Sequence, residues 1–263
     1  MSTSLSARNL RAAARTTHED RGANTAKLGE AYRMQEGRRA GDREVIALFP
    51  LRTVLVPGLV MPLHIFEPRY RQLIADLSTK PENDRGFGVA AIRDGHEVGA
   101  DAVRSLYDVG TFTHVRSVEP HPDGRADIVT NGAARFRIIQ LVDAGTPYMC
   151  AEVEWLDEAD GVADVHALAE LAHRRFRSYR EMLSGATDLD GPADLHEDPR
   201  VCSYVIAAAL VIDTAERQKL LEAGSTTDRL RHELRLLARE LAIFPELPSL
   251  PVTEMTRVPI QLN

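Results

Sequence analysis

The hydrophobic pattern of this chain changes period near Glu158-Ala159-Asp160-Gly161, and that change constrains the fold more than any composition does. Before it, short β-branched and aromatic runs are punctuated by Gly and Pro; after it, apolar residues recur every three to four positions. Alternation buries one face of a pleated ribbon, whereas the longer recurrence builds a helical stripe. The two patterns are segregated rather than interleaved. The chain therefore reads as α+β, with a β-rich part at 44–157 and a helical bundle at 158–248.

Strand-like runs are expected at 45–49, 51–56, 87–92, 107–118, 126–130, 134–142 and 148–156. In the last of these, Glu152 and Glu154 alternate with apolar partners, the mark of a half-buried strand. Pro120-His121-Pro122-Asp123-Gly124 carries Asp-Gly turn chemistry and predicts a hairpin tip. Glu67-Pro68-Arg69-Tyr70 opens a short helix to about Leu77, with Pro68 where its missing N–H costs least.

In the second part, Val165, Leu168, Leu171, Ala172, Phe176, Tyr179 and Leu183 form one stripe of a long helix. Asp198-Pro199 supplies an N-cap and a first-turn proline for a nearly all-apolar, buried helix to Ile212. Asp213-Thr214-Ala215-Glu216 has capping-box spacing for a short helix ending at Gly224. Ser225/Thr226 start a last helix with a Leu230, Leu234, Leu237, Leu241 seam.

Residues 1–43 contain few large apolar side chains and read as a disordered tail. Its Arg, Ser and Thr content imitates a transit peptide, but Glu19, Asp20, Glu30 and Glu36 argue against one, and Met34 is an alternative start. Residues 249–263 form a second tail in which Val258, Ile260 and Leu262 alternate, an edge strand compatible with Pro259.

Composition narrows the function classes. The net charge of −7 is uneven: through Arg43 there are nine Lys/Arg against five Asp/Glu, leaving about −11 on the rest. An acidic body is poorly suited to neutralising phosphates, so nucleic acid is disfavoured as a partner. Cys150 and Cys202 form no CxxC pair, which fits a reducing cytoplasm rather than a disulfide framework. No apolar run approaches the ~20 residues of a membrane span.

Three motifs carry a resemblance. Leu48-Phe49-Pro50-Leu51-Arg52-Thr53-Val54-Leu55-Val56-Pro57-Gly58 with Met61-Pro62-Leu63-His64-Ile65-Phe66-Glu67-Pro68-Arg69-Tyr70 resembles the opening of the amino-terminal, substrate-recognition domain of Lon proteases. Asn131-Gly132-Ala133-Ala134-Arg135-Phe136 is similar to that family's Gly-x-x-Arg-Phe strand, and Asp213 to Glu222 resembles the segment before its last helix. The resemblance covers about Val45 to Phe244 and implies a PUA-like β subdomain joined to a helical bundle. It implies a protein-binding role toward unfolded or apolar segments, as an adaptor or chaperone-like factor, with a protease or chaperone as a further partner. Full-length members continue into an ATPase and a peptidase. No GxxxxGK[ST] loop is present here, so a module without either engine is expected, with no cofactor.

Candidate sites emerge from the residues. Pro57, Gly58 and Pro62 fix turns, and a Pro-Gly loop that reaches the surface would expose Leu59, Val60 and Met61 as a peptide-binding patch; plain core packing is the competing reading. Glu67 and Arg69 read as a local ion pair, His64 as a hydrogen-bonded structural histidine, and Tyr70 as core. His166, Glu170 and His173 share a helix face but lack the groups that would orient them around a metal, and Asp194, His196 and Glu197 lie in a polar loop. Cys202 lies in an apolar helix that would raise its pKa, the wrong direction for a nucleophile. No catalytic residue and no metal site is expected. The alternative is an RNA-linked role, resting on Arg135 and Arg137 on one strand face with Arg125 nearby.

Overall fold

The computed structural model describes residues 39–95, 103–161, 164–184 and 198–243. The expectations for most of the first tail, for the loop holding Asp194, His196 and Glu197, and for the strand at 249–263 lie outside the described residues. Seven strands come first: β1 (Arg43–Leu51), β2 (Val60–Ile65), β3 (Gly86–Gly95), β4 (Val103–Leu106), β5 (Val109–Pro120), β6 (Ala126–Val142) and β7 (Cys150–Trp155). A helix, α1 (Pro68–Ser78), is inserted after β2. Four helices complete the order: α2 (Val165–Ser184), α3 (Pro199–Ala209), α4 (Thr214–Glu222) and α5 (Thr226–Ile243). The α+β class expected from the period change is the one observed.

Five strands close on themselves. β1 pairs antiparallel with β7, then β6, β5 and β3 continue antiparallel, and β3 returns to β1 in parallel from Leu48 opposite Gly88 to Leu51 opposite Ala91. Closure removes the exposed edges that an open sheet presents. β2 lies outside this ring against the first half of β6, and β4 extends β3.

The sequence pattern splits β6 at Asn131-Gly132-Ala133, but it is one 17-residue strand. Register shifts against β5 and β7 bend it, so one strand serves β2 and β5 at one end and β5 and β7 at the other. Gly132 is not a break. A Cβ there would stand 2.7 Å from the Val56 carbonyl, and only hydrogen fits against the Pro57-Gly58 turn.

That turn differs from expectation. Gly58 has φ of 81°, as a Pro-Gly turn requires, yet both residues are buried. The Gly58 N–H donates to the Gly132 carbonyl at 2.8 Å, and the Gly132 N–H donates to the Leu59 carbonyl at 3.0 Å. β6 thus satisfies the polar groups that would otherwise force the loop into water. The turn leads directly into β2, a strand that the runs expected from sequence do not include.

Three apolar clusters form the core, and one of them joins the two halves. Ile46, Leu48, Phe112, Phe136, Val153 and Trp155 fill the ring. Phe49, stacked on Tyr70 at 4.0 Å, joins Leu73, Ile74 and Leu77 of α1 to the barrel, each such buried side chain contributing about 1.5–3 kcal/mol. Val54, Val56, Ala91 and Val109 of the β part pack directly with Phe176, Tyr204, Ile206, Leu220 and Leu237 of the helices.

The caps form as expected. Asp198 accepts from Arg200 N at 2.8 Å, Asp213 from Glu216 N at 2.7 Å and Ser225 Oγ from Asp228 N at 3.1 Å. α3 stops at Ala209 rather than Ile212, and Val211 beyond it is 73% exposed. No described helix is long and apolar enough to cross a membrane.

Candidate functional site

The strand β2 separates the three residues expected to form a patch. Leu59 packs between two core clusters, and Met61 turns inward against the α1 cluster while its carbonyl accepts from Thr130 Oγ1 at 3.0 Å. Val60 belongs to the opposite face, which the register with β6 defines: Val60 opposite Asn131, Pro62 opposite Val129, His64 opposite Asp127. Alternation therefore brings Val60, Pro62, His64 and Phe66 together, with Val129 beside Pro62. Pro62 and His64 are exposed, Phe66 is 44% exposed and Val129 36% exposed. Among the described residues β2 pairs only with β6, so its other side is an edge, and Pro62 lacks the N–H that an edge would otherwise offer.

The polar end of this face is a bridged triad. Asp127 receives His64 Nδ1 on Oδ1 at 2.5 Å and His121 Nε2 on Oδ2 at 2.7 Å. The two imidazole contacts, that of His64 first, hold the Asp127 carboxyl below its usual range. His64 is hydrogen-bonded as expected, and it is exposed. His121, Asp127, Phe66 and Val129 are not found by reading the sequence alone. The i, i+2 spacing of Pro62, His64 and Phe66 was the available signal, obscured by the proline.

Elsewhere, a buried ionic knot joins barrel and bundle. Glu158 takes Arg135 Nε and the Tyr204 hydroxyl on Oε1, at 2.5 and 2.6 Å, and Arg229 Nη2 on Oε2 at 3.4 Å. Arg229 also donates to Ser203 Oγ and the Tyr204 hydroxyl and lies 3.7 Å from the Tyr204 ring centroid. Both guanidiniums cap α4: Arg135 donates to the Leu221 and Ala223 carbonyls, at 2.8 and 2.7 Å, and Arg229 to that of Leu220. A helix C-terminus leaves these carbonyls without partners of its own, and its dipole favours a cation there.

This knot takes one of the three arginines of the RNA alternative out of solvent. Arg135, 3% exposed, is committed to the fold; Arg137 is exposed, and Arg125 is bound by Asp123 at 2.6 Å. Glu67 and Arg69 form the expected pair at 3.0 Å, and Tyr70 is buried. Burial pushes the Cys202 thiol up to about 12, the direction expected. On α2, His166 and Glu170 are exposed, and Glu170 faces Arg174.

The chain is similar in sequence and in fold to known proteins. The family described as the ATP-dependent protease La (LON) substrate-binding domain matches residues 45–239. Among curated relatives, Lon protease 2 of Syntrophobacter fumaroxidans is 28% identical over 206 residues, covering 78% of this chain and 25% of its own length. Lon protease of Escherichia coli (strain K12) is 25% identical over 213 residues, 77% of this chain and 26% of that protein. The chain thus spans about a quarter of the length of the curated relatives it matches. The Lon N-terminal domain protein from Xanthomonas campestris aligns with a TM-score of 0.51 and 26% identity over 74% of this chain and 98% of that one. The N-terminal domain of Mycobacterium avium complex Lon protease aligns at 0.57 and 16% identity, again over 74% and 98%, a likeness of fold alone. Residues 45–239 account for most of the polypeptide, and the chain belongs to the Lon substrate-binding domain family.

Proposed function

We propose that this protein binds other polypeptides through unfolded or apolar segments, holding them along the outer face of β2 without chemical change. In this reading it acts in the cytoplasm as an adaptor or chaperone-like factor that presents the held chain to a protease or chaperone. The carrying observation is the edge strand β2, whose outer face presents Pro62, His64 and Phe66 with Val129 alongside. An extended segment can lie across this face, its apolar side chains against Phe66 and Val129. The family's description as a substrate-binding domain supports the same reading.

The sequence expectation of Leu59, Val60 and Met61 is carried forward in altered form: Val60 stays in the proposed face, and Leu59 and Met61 support it from within. Binding of a fluorescent, permanently unfolded polypeptide is measured by anisotropy for the wild type and for Phe66→Asp/Val129→Asp. Loss of two exposed apolar contacts is expected to weaken binding about tenfold or more, with thermal stability nearly unchanged. Equal affinity in the double variant would move the site elsewhere. No binding by the wild type, or nucleotide turnover or peptide cleavage that tracks with the homogeneous protein, would end the reading.

A further inference from the structure

We propose that His64, His121 and Asp127 form a binding site for a divalent transition-metal ion of the zinc, cobalt or nickel class. Among the described residues these are the one group of three whose potential ligand atoms all lie within 4.8 Å of one another. Two imidazole nitrogens and one carboxylate oxygen suit such borderline ions, whereas calcium and magnesium prefer all-oxygen shells. Three protein donors also leave coordination positions for water, as in open zinc sites.

The donors are held by backbone independent of any ion. His64 and Asp127 are a directly opposed pair in the β2–β6 ladder, which puts both side chains on one face. His121 stands at the base of the β5–β6 hairpin, its N–H donating to Arg125 O at 2.8 Å and its carbonyl accepting from Gly124 N at 3.0 Å. Arg125, the cation of that hairpin, is neutralised by Asp123, so it does not oppose a bound ion.

The present geometry is that of a closed, hydrogen-bonded triad: the donor pairs stand at 2.5 and 2.7 Å, with the carboxylate between the rings. Metal–ligand bonds of about 2.0–2.1 Å in a tetrahedron separate donors by about 3.3 Å. Admitting an ion thus requires the donor atoms to spread from these hydrogen-bond distances and each ring to turn a lone pair to the ion, its N–H being carried on the other ring nitrogen. All three side chains are at least one-third exposed, so they can make that movement without disturbing the core. The bound ion would tie β2, paired along one side only, to the neighbouring hairpin.

The test uses tag-free protein stripped with chelator. Titration with Co²⁺ monitored by visible absorption, and with Zn²⁺ by calorimetry, is expected to show one ion per chain. At a hundredfold excess over Kd, Zn²⁺ should raise the thermal midpoint by about 5–10 °C. His64→Ala and His121→Ala should each weaken uptake at least ~100-fold, while His166→Ala on α2 leaves it unchanged. Circular dichroism of the metal-free variants establishes that they fold. Absence of stoichiometric uptake, or uptake that survives both histidine substitutions in folded protein, overturns the site. Unfolded-chain binding by the metal-free protein is scored separately, so failure here leaves the proposed function standing on its own test.

Discussion

Glu158→Ala is expected to destabilise the protein by about 3–5 kcal/mol, because it removes the buried carboxylate that both the Arg135 and the Arg229 guanidinium hydrogen-bond. Arg135 and Arg229 are 3% and 0% exposed. At about 2–4 °C per kcal/mol for a chain of this size, the thermal midpoint should fall by about 6–20 °C. Glu158→Gln should cost nearly as much, since the amide keeps the shape and loses the charge. Arg229→Met in the Glu158→Gln background should recover part of the loss, the signature of coupled neighbours. A cost below about 1 kcal/mol for Glu158→Ala would show that the apolar contacts of Val54, Val56, Ala91 and Val109 suffice to join the halves.

Glu233 should give the opposite sign. Its side chain is fully buried in α5, and among the described residues neither carboxylate oxygen meets a hydrogen-bond donor. Burial drives its pKa well above the ordinary 4.5, against a smaller opposing pull from Arg229 one turn away. The unfolded chain ionises this group near the ordinary value, while the folded chain resists. Its contribution is therefore most favourable below about pH 4.5 and is lost progressively as pH rises toward the folded pKa. Glu233→Met removes the unmet polar group at similar volume and helix propensity, and should stabilise by about 1–3 kcal/mol at pH 7.5. The gain over wild type should shrink as pH is lowered toward 5, measured by thermal melts of both proteins in parallel. Destabilisation at every pH would mean that the carboxyl has a partner when folded.

How far the sequence could be read depended on whether the deciding interaction was local. The period change, the Asp198, Asp213 and Ser225 caps and the Asp123-Gly124 hairpin are set within a few residues, and each is present. β2 was not legible because Pro62 looks like punctuation and its partner strand begins some sixty residues later, with Ile65 opposite Ala126. For the same reason the apolar turn at Pro57-Gly58 pointed to the surface, when Gly132 was waiting to cover it. The candidate face suffered most: His64 stands alone in its stretch of sequence, since nothing nearby announces Asp127.

Arg135 shows the other limit. Two arginines at i and i+2 share a strand face by simple alternation, but the bundle covers Arg135 and leaves Arg137 in solvent. The Gly-x-x-Arg-Phe motif that carried the family resemblance is accordingly a set of fold ties. Gly132 admits the turn, Arg135 caps α4, and Phe136 fills the ring.

Those ties set a schedule for synthesis. Arg135 leaves the ribosome long before Leu221, Ala223 and Arg229, and its counter-charge at Glu158 has no second cation until the last helix arrives. A nascent chain halted after Trp155 would hold all seven strands yet carry a naked guanidinium on the surface destined for the bundle. Ribosome-stalled intermediates of that length should stay protease-sensitive, and resistance should come in one step when residue 229 and the rest of its helix emerge.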